Sequence, residues 1–157
     1  MNPRHSEIIE LIRKEVKPAL GCTEPIAVAL AAAKAVEILE EKSNVSMRND
    51  KDLRIDVQVS ANILKNGMGV GIPGTGMVGL FIAAALGAVC GKSSYGLEVL
   101  QDFDEDSINK AKELVSKKYV RINLAETNKK LYIKAIVESA QIPGHQATAV
   151  IEDDHDN

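Results

Sequence analysis

The residue best placed for chemistry is Cys22, which stands immediately before Thr23-Glu24-Pro25. That triplet reads as a helix start: Thr23 is a good N-cap, Glu24 suits the positive end of the helix, and proline is tolerated in a first turn. Unpaired N–H groups and the helix dipole stabilise a thiolate there, so Cys22 has the setting of a nucleophile or a metal ligand. Cys90, the other cysteine, falls near the end of an apolar stretch and reads as a small buried hydrophobe. His5, His145 and His155 have no partner three or four residues away, so no zinc spacing exists and they read as solvated turn residues. The acidic stretch from Glu152 to Asp156 reads as a solvated end, since nothing pre-organises it for a cation.

Six glycines fall between Gly67 and Gly79. They match the dinucleotide fingerprint twice, at Gly69-x-Gly71-x-x-Gly74 and at Gly74-x-Gly76-x-x-Gly79. That motif needs a strand ending directly before its first glycine. The nearest strand signal ends near Val59, and Pro73 lies between, so a nucleotide site is a minor reading. Gly87 to Ser93 resembles a phosphate-binding loop but has three residues between its glycines where four are needed, and it lies at a helix exit.

The elements that must hold these residues follow from periodicity. Ile8, Ile9, Leu11, Ile12 and Val16 fall on one helical face, which predicts an amphipathic helix over residues 1–17, stopped by Pro18. A second helix is expected from Glu24 to about Glu41; its Ala-rich body, Ala27 to Ala35, allows close backbone approach and marks it as central. Leu53 to Val59 alternates strictly and reads as a strand with one wet face. An apolar helix is expected over 77–90, closed by Gly91, then a short helical segment near Leu97 to Leu100. An amphipathic helix from about Glu105 to Lys117 starts at Asp104. Tyr119 to Leu124, Leu131 to Glu138 and Gln146 to Glu152 are strand candidates, and their short links favour an antiparallel meander.

With helices grouped early and strands late, the class is α+β: a helical core with a central Ala-rich helix and an apolar, glycine-preceded helix, plus a mainly antiparallel sheet of about four strands. The helical part is expected at about 1–42 and 67–100, and the α/β part at about 53–60 and 104–157. The 157 residues are 45% hydrophobic, enough for a packed core, and carry 19 Lys plus Arg against 22 Asp plus Glu, a net charge of -3. That balance argues against bulk nucleic-acid binding. Two cysteines make no disulfide scaffold, and no basic-then-apolar leader opens the sequence, so the expectation is a cytoplasmic protein. The apolar run from Met77 to Cys90 is shorter than the roughly 20 residues a bilayer requires, so no membrane partner is expected.

Two runs carry a resemblance. Pro18-Ala19-Leu20-Gly21-Cys22-Thr23-Glu24-Pro25-Ile26-Ala27 is followed by the stretch from Ser60-Ala61-Asn62-Ile63-Leu64-Lys65-Asn66-Gly67 to Gly76. Together they resemble the L-cysteine desulfidase family, which includes YhaM-type proteins and is related to the α chains of iron–sulfur L-serine dehydratases. The likeness continues through Leu86 to Gly91, Gly96 to Leu100 and Gly144 to Glu152.

The resemblance implies a β-elimination dependent on a [4Fe–4S] cluster, taking L-cysteine to sulfide, ammonia and pyruvate, with L-serine dehydration as the related reaction. A cluster held by three cysteines leaves one iron open as a Lewis acid. Cys22 matches the family's first cluster ligand. Thr23 and Glu24 at the helix start, with Ser60, Asn62, Lys65 and Asn66 in the second run, are the expected substrate contacts for a small amino acid. No residue is assigned as the base. The remaining cluster cysteines are expected from a part following Asn157, so the chain is read as the N-terminal portion of a longer lyase or one half of a split one, without a cluster and inactive alone. The expected partners are that C-terminal part or a partner chain, and further copies of itself, because truncation should leave core surface uncovered around the helices at 24–41 and 77–90. Two other readings are a non-catalytic amino-acid-binding or regulatory domain and, third, a nucleotide-binding domain.

Overall fold

The computed structural model describes residues 6–14, 23–72 and 75–153, with residues 6–14, 23 and 153 described by backbone alone. Chain order is β1 (Ser6–Lys14), α1 (Thr23–Ser43), β2 (Leu53–Val59), α2 (Ala61–Gly67), β3 (Gly71–Ile72), β4 (Met77–Val78) and α3 (Leu80–Cys90). A 3-10 helix (Ser93–Glu98), α4 (Glu105–Ser116), β5 (Val120–Leu124), β6 (Tyr132–Ser139) and β7 (His145–Asp153) follow. The fold is α+β.

The main sheet has the order β1-β7-β6-β2-β5. Its centre is antiparallel, β7 with β6 and β6 with β2. Both outer pairs are parallel, β1 with β7 and β2 with β5. Across the four expected strands two of the three pairings are antiparallel, as anticipated, but the meander is not formed: β5 pairs with β2 and not with β6. A chain that leaves β2, passes through α2, the β3–β4 hairpin, α3, the 3-10 helix and α4, and returns beside β2 arrives parallel to it, as crossover connections do.

One expectation fails outright. Residues 6–14 form an edge strand in parallel register with β7, Ile8 opposite Ala147 and Ile12 opposite Ile151, and no helix. The apolar spacing there fits a helix, but three isoleucines in nine residues also suit a strand, and the partner lies some 140 residues away where local periodicity carries no information.

In the rest of the sheet, alternation decides which side faces the helices. Leu53, Ile55, Val57, Val59, Ile133, Ala135, Val137, Ala147, Ala149 and Ile151 are all buried on the helix side. α1 lies over β6 and β7, α3 lies over β2 and β5, and α4 packs on α3. α1 is buried continuously from Pro25 to Ala33, so it is the central helix its alanines suggest. Its backbone meets that of α3 where Gly87 lies on Ala29: a Cβ added to Gly87 would stand 2.2 Å from the Ala29 carbonyl oxygen.

The same burial covers the bodies of α1 and α3, against the expectation of uncovered core there. The large apolar side chains exposed among the described residues are Met68, Val78, Leu97 and Leu124; Val78 falls within the expected 77–90 span, but none lies on α1 or α3 themselves. Nor is any described helix long and apolar enough to cross a membrane.

α4 is fixed by a reciprocal cap. The Asp104 carboxylate accepts from Ser107 N–H at 2.8 Å while Ser107 Oγ accepts from Asp104 N–H at 2.8 Å. The bond from Ser107 N–H, and then the nearby Ser107 hydroxyl, hold the Asp104 carboxyl below its ordinary value.

Candidate functional site

The two motif runs converge. α2 begins where β2 ends and finishes at Gly67, which lies against the first turns of both α1 and α3. A Cβ on Gly67 would come 3.3 Å from Glu24 Cβ and 2.6 Å from Leu80 Cδ2. A glycine there lets three helix ends meet without displacing the Leu80 side chain.

Cys22 lies outside the described residues. Thr23 is the first residue of α1, and Glu24, beside it, is partly exposed at the Gly67 contact. Asn62, Lys65 and Asn66 are exposed along α2, and Asn66 Nδ2 donates to Asn62 Oδ1 at 3.0 Å, so the two amides act as one fixed pair. Ser60 is placed differently. It is buried, its Oγ donates to the Lys130 carbonyl at 2.7 Å, and its N–H bonds the Tyr132 carbonyl at 2.9 Å. Its hydroxyl therefore ties the start of α2 to the β6 side of the sheet.

The glycine run is a tight hairpin. β3 pairs with β4, Gly71 opposite Val78 and Ile72 opposite Met77. Thr75 Oγ1 donates to the Ile72 carbonyl at 2.8 Å and accepts from Met77 N–H at 3.0 Å. Gly79, at φ 99°, caps α3 and bonds back to the Val70 carbonyl at 3.0 Å. A left-handed φ at that position requires glycine. α2 separates β2 from these glycines, and β4 lies inside the second fingerprint copy, so the strand–turn–helix of a dinucleotide motif is not formed. The same hairpin explains why α3 starts at Leu80 and not at 77.

Beside Ser60 the C-terminal ends of β2 and β5 border a hollow of about 420 Å³ that includes Gln58, Asn123, Thr127 and Tyr132. Burial and the nearby Glu152 carboxylate push the Tyr132 phenol up. The sequence reading missed these residues, although the alternation of β2 already placed Gln58 on its wet side.

Cys90 sits ten residues along α3, about 15 Å from the Gly67 end at 1.5 Å per residue. It is half-buried, and burial raises its thiol above the ordinary value more than the Ser107 hydrogen bond and the Arg48 charge lower it. It is a protonated, structural thiol at neutral pH. Among the described residues no group of three or more His, Cys, Asp or Glu is gathered for a metal ion. With two cysteines in the chain, and Cys90 at the other end of α3, the donors present here do not by themselves fit a four-iron cluster.

Geometrically, then, this is an α+β framework with a polar surface where three helix ends meet. The chain is similar to UPF0597 proteins. It is 58% identical to that of Parabacteroides distasonis over 131 residues, 83% of this chain and 28% of the relative. It is 52% identical to one from Bacteroides fragilis over 150 residues, 95% of this chain and 32% of the relative. With the protein of Shewanella halifaxensis the identity is 47% over 150 residues, 94% of this chain and 33% of the relative. The chain thus spans about a third of the length of the curated relatives it matches. No family model matches it, and no solved structure does.

Proposed function

We propose that this chain is the N-terminal portion of a cytoplasmic amino-acid β-eliminating lyase, of the iron–sulfur L-cysteine desulfidase and L-serine dehydratase kind, and that it holds the substrate. The observation that carries this reading is the packing of Gly67 on Glu24: it sets the amide pair Asn62–Asn66 and the Lys65 ammonium near the helix end that directly follows Cys22 in sequence. An α-amino acid presents a carboxylate and an ammonium. Lys65 and the N–H groups at the start of α1, which have no acceptor within the helix itself, suit the first, while Glu24 and the amide oxygens suit the second. Ser60 acts by positioning α2. In this reading Cys22 is this chain's contribution to metal binding, and the other ligands come from the two thirds of the relatives' length that the chain does not match. No chemical step is drawn through that group.

The test is a chimera in which this chain replaces the matched third of the P. distasonis relative, purified anaerobically. The expected result is bound iron with release of sulfide and pyruvate from L-cysteine, and loss of both iron and sulfide release in Cys22→Ala. Full activity of Cys22→Ala contradicts the ligand assignment. Tight binding of L-cysteine by an iron-loaded chimera that never turns over contradicts the lyase and leaves an amino-acid-binding module.

A further inference from the structure

The outer edge of β5 has no partner strand among the described residues. The bonds from Ile55 N–H to the Tyr119 carbonyl (2.9 Å) and from Ala125 N–H to the Val59 carbonyl (2.7 Å) fix the phase of its ladder with β2. In a parallel pair alternate residues bond the neighbour, so Tyr119, Arg121, Asn123 and Ala125 face β2. The N–H and C=O groups of Val120, Ile122 and Leu124 therefore point away from the sheet.

A hollow of about 930 Å³ is bordered by every residue from Lys118 to Asn123 of this edge and extends inward over the open face of the sheet to Ile136, Glu138 and Gln146. Residues of both sheet faces share it: Asp56 and Arg121 from the open face, Val120 and Ile122 from the helix face. At an edge strand, a space bordered by residues of both faces passes around the free edge. Its helix-side wall is apolar, with Phe81 and Val115, and Leu124 at the far end is exposed.

The opposite wall is basic. Arg121 and Lys118 make no ion pair among the described residues, and Arg54 stacks on Tyr119, its guanidinium carbon 3.7 Å from the ring centre. Of the two carboxylates present, Asp56 already accepts from Asn123 at 3.1 Å, leaving Glu138 across the sheet beside Arg54.

We infer that the free edge of β5 accepts an extended strand in which apolar and acidic residues alternate, supplied by the polypeptide that the longer relatives carry outside the matched third. Three outward N–H and three outward C=O groups supply the main-chain ladder. Phe81, Val115 and Ile122 receive the apolar side chains, and Arg121 and Lys118 receive the acidic ones. The inference is independent of the chemistry proposed at Gly67.

The experiment tiles the P. distasonis relative outside its matched part with overlapping synthetic peptides and follows amide hydrogen exchange in this whole chain. At least one peptide with acidic residues at alternate positions is expected to slow exchange at Val120, Ile122 and Leu124 while leaving Arg121 and Asn123, already bonded to β2, unchanged. Arg121→Glu, an exposed substitution, should weaken that peptide by about tenfold, and a lysine-for-acid version of the peptide should recover binding to the variant. The inference is overturned if no peptide slows those three amides, as for an edge merely guarded by its charges. It is also overturned if binding ignores the charge reversal, or if the three amides become protected simply as the chain's own concentration rises, which makes a second copy the occupant.

Discussion

Arg48 shows how a single residue holds the helix layer together. Its Nη1 donates to the carbonyls of Gly87 and Ala88 at 3.1 and 2.9 Å, in the last turn of α3, where the Gly87 carbonyl also accepts from Gly91 N–H. The same guanidinium lies 3.7 Å from both Glu37 and Glu40 of α1. Glu37 in turn accepts from Ser93 N–H at 2.9 Å and from the Ser93 hydroxyl. One planar cation thus ties α1, α3 and the 3-10 helix, a task for a fork-shaped donor set. Arg48→Ala should lower stability by about 2–3 kcal/mol, read from the denaturant midpoint, because two carbonyls and two carboxylates lose a charged donor. Arg48→Lys should recover only part of that. A change below about 0.5 kcal/mol in Arg48→Ala, the level of an ordinary surface substitution, contradicts this role.

Helices and strands were legible in proportion to how local their causes are. β2 could be read at its observed bounds because Leu53, Ile55, Val57 and Val59 alternate with polar residues within a single strand. The start of α4 was legible because its cap, Asp104, is three residues from the group it binds. α1 was placed correctly from Thr23-Glu24-Pro25. β1 was misread because its partner is at the other end of the chain, and α2, seven residues long, is too short to show a period. The hairpin of β3 and β4 was hidden because its glycines also suit a phosphate loop. What distinguishes the two is the preceding element, a helix here, which the pattern of glycines does not encode.

At this scale the contact between α1 and α3 is the most constrained. A methyl group on Gly87 would meet the Ala29 carbonyl, which is backbone and cannot rotate aside. Gly87→Ala should therefore cost about 1–3 kcal/mol or more from overpacking, despite alanine being the better helix former by about 1 kcal/mol. Thermal unfolding of the variant measures the sign: a raised melting temperature would mean the two helices are not in backbone contact.

For the molecule as a whole, the candidate site lies where the ends of separate elements converge. Its parts come from residues 24, 62–67 and 80, which the sequence presents as two unrelated runs. The residue types in those runs were legible; their meeting at Gly67, and the burial of Ser60 against Lys130, were not, because both join residues far apart in sequence. The central claim is that this convergence holds a small amino acid. Amide chemical shifts of the isotopically labelled chain during titration with L-cysteine test it most directly. The account predicts saturable shifts at Glu24, Asn62, Lys65, Asn66 and Gly67 that L-serine reproduces and Asn66→Ala abolishes. Shifts confined to the β5 edge, or none at these five positions at any L-cysteine concentration, would contradict it.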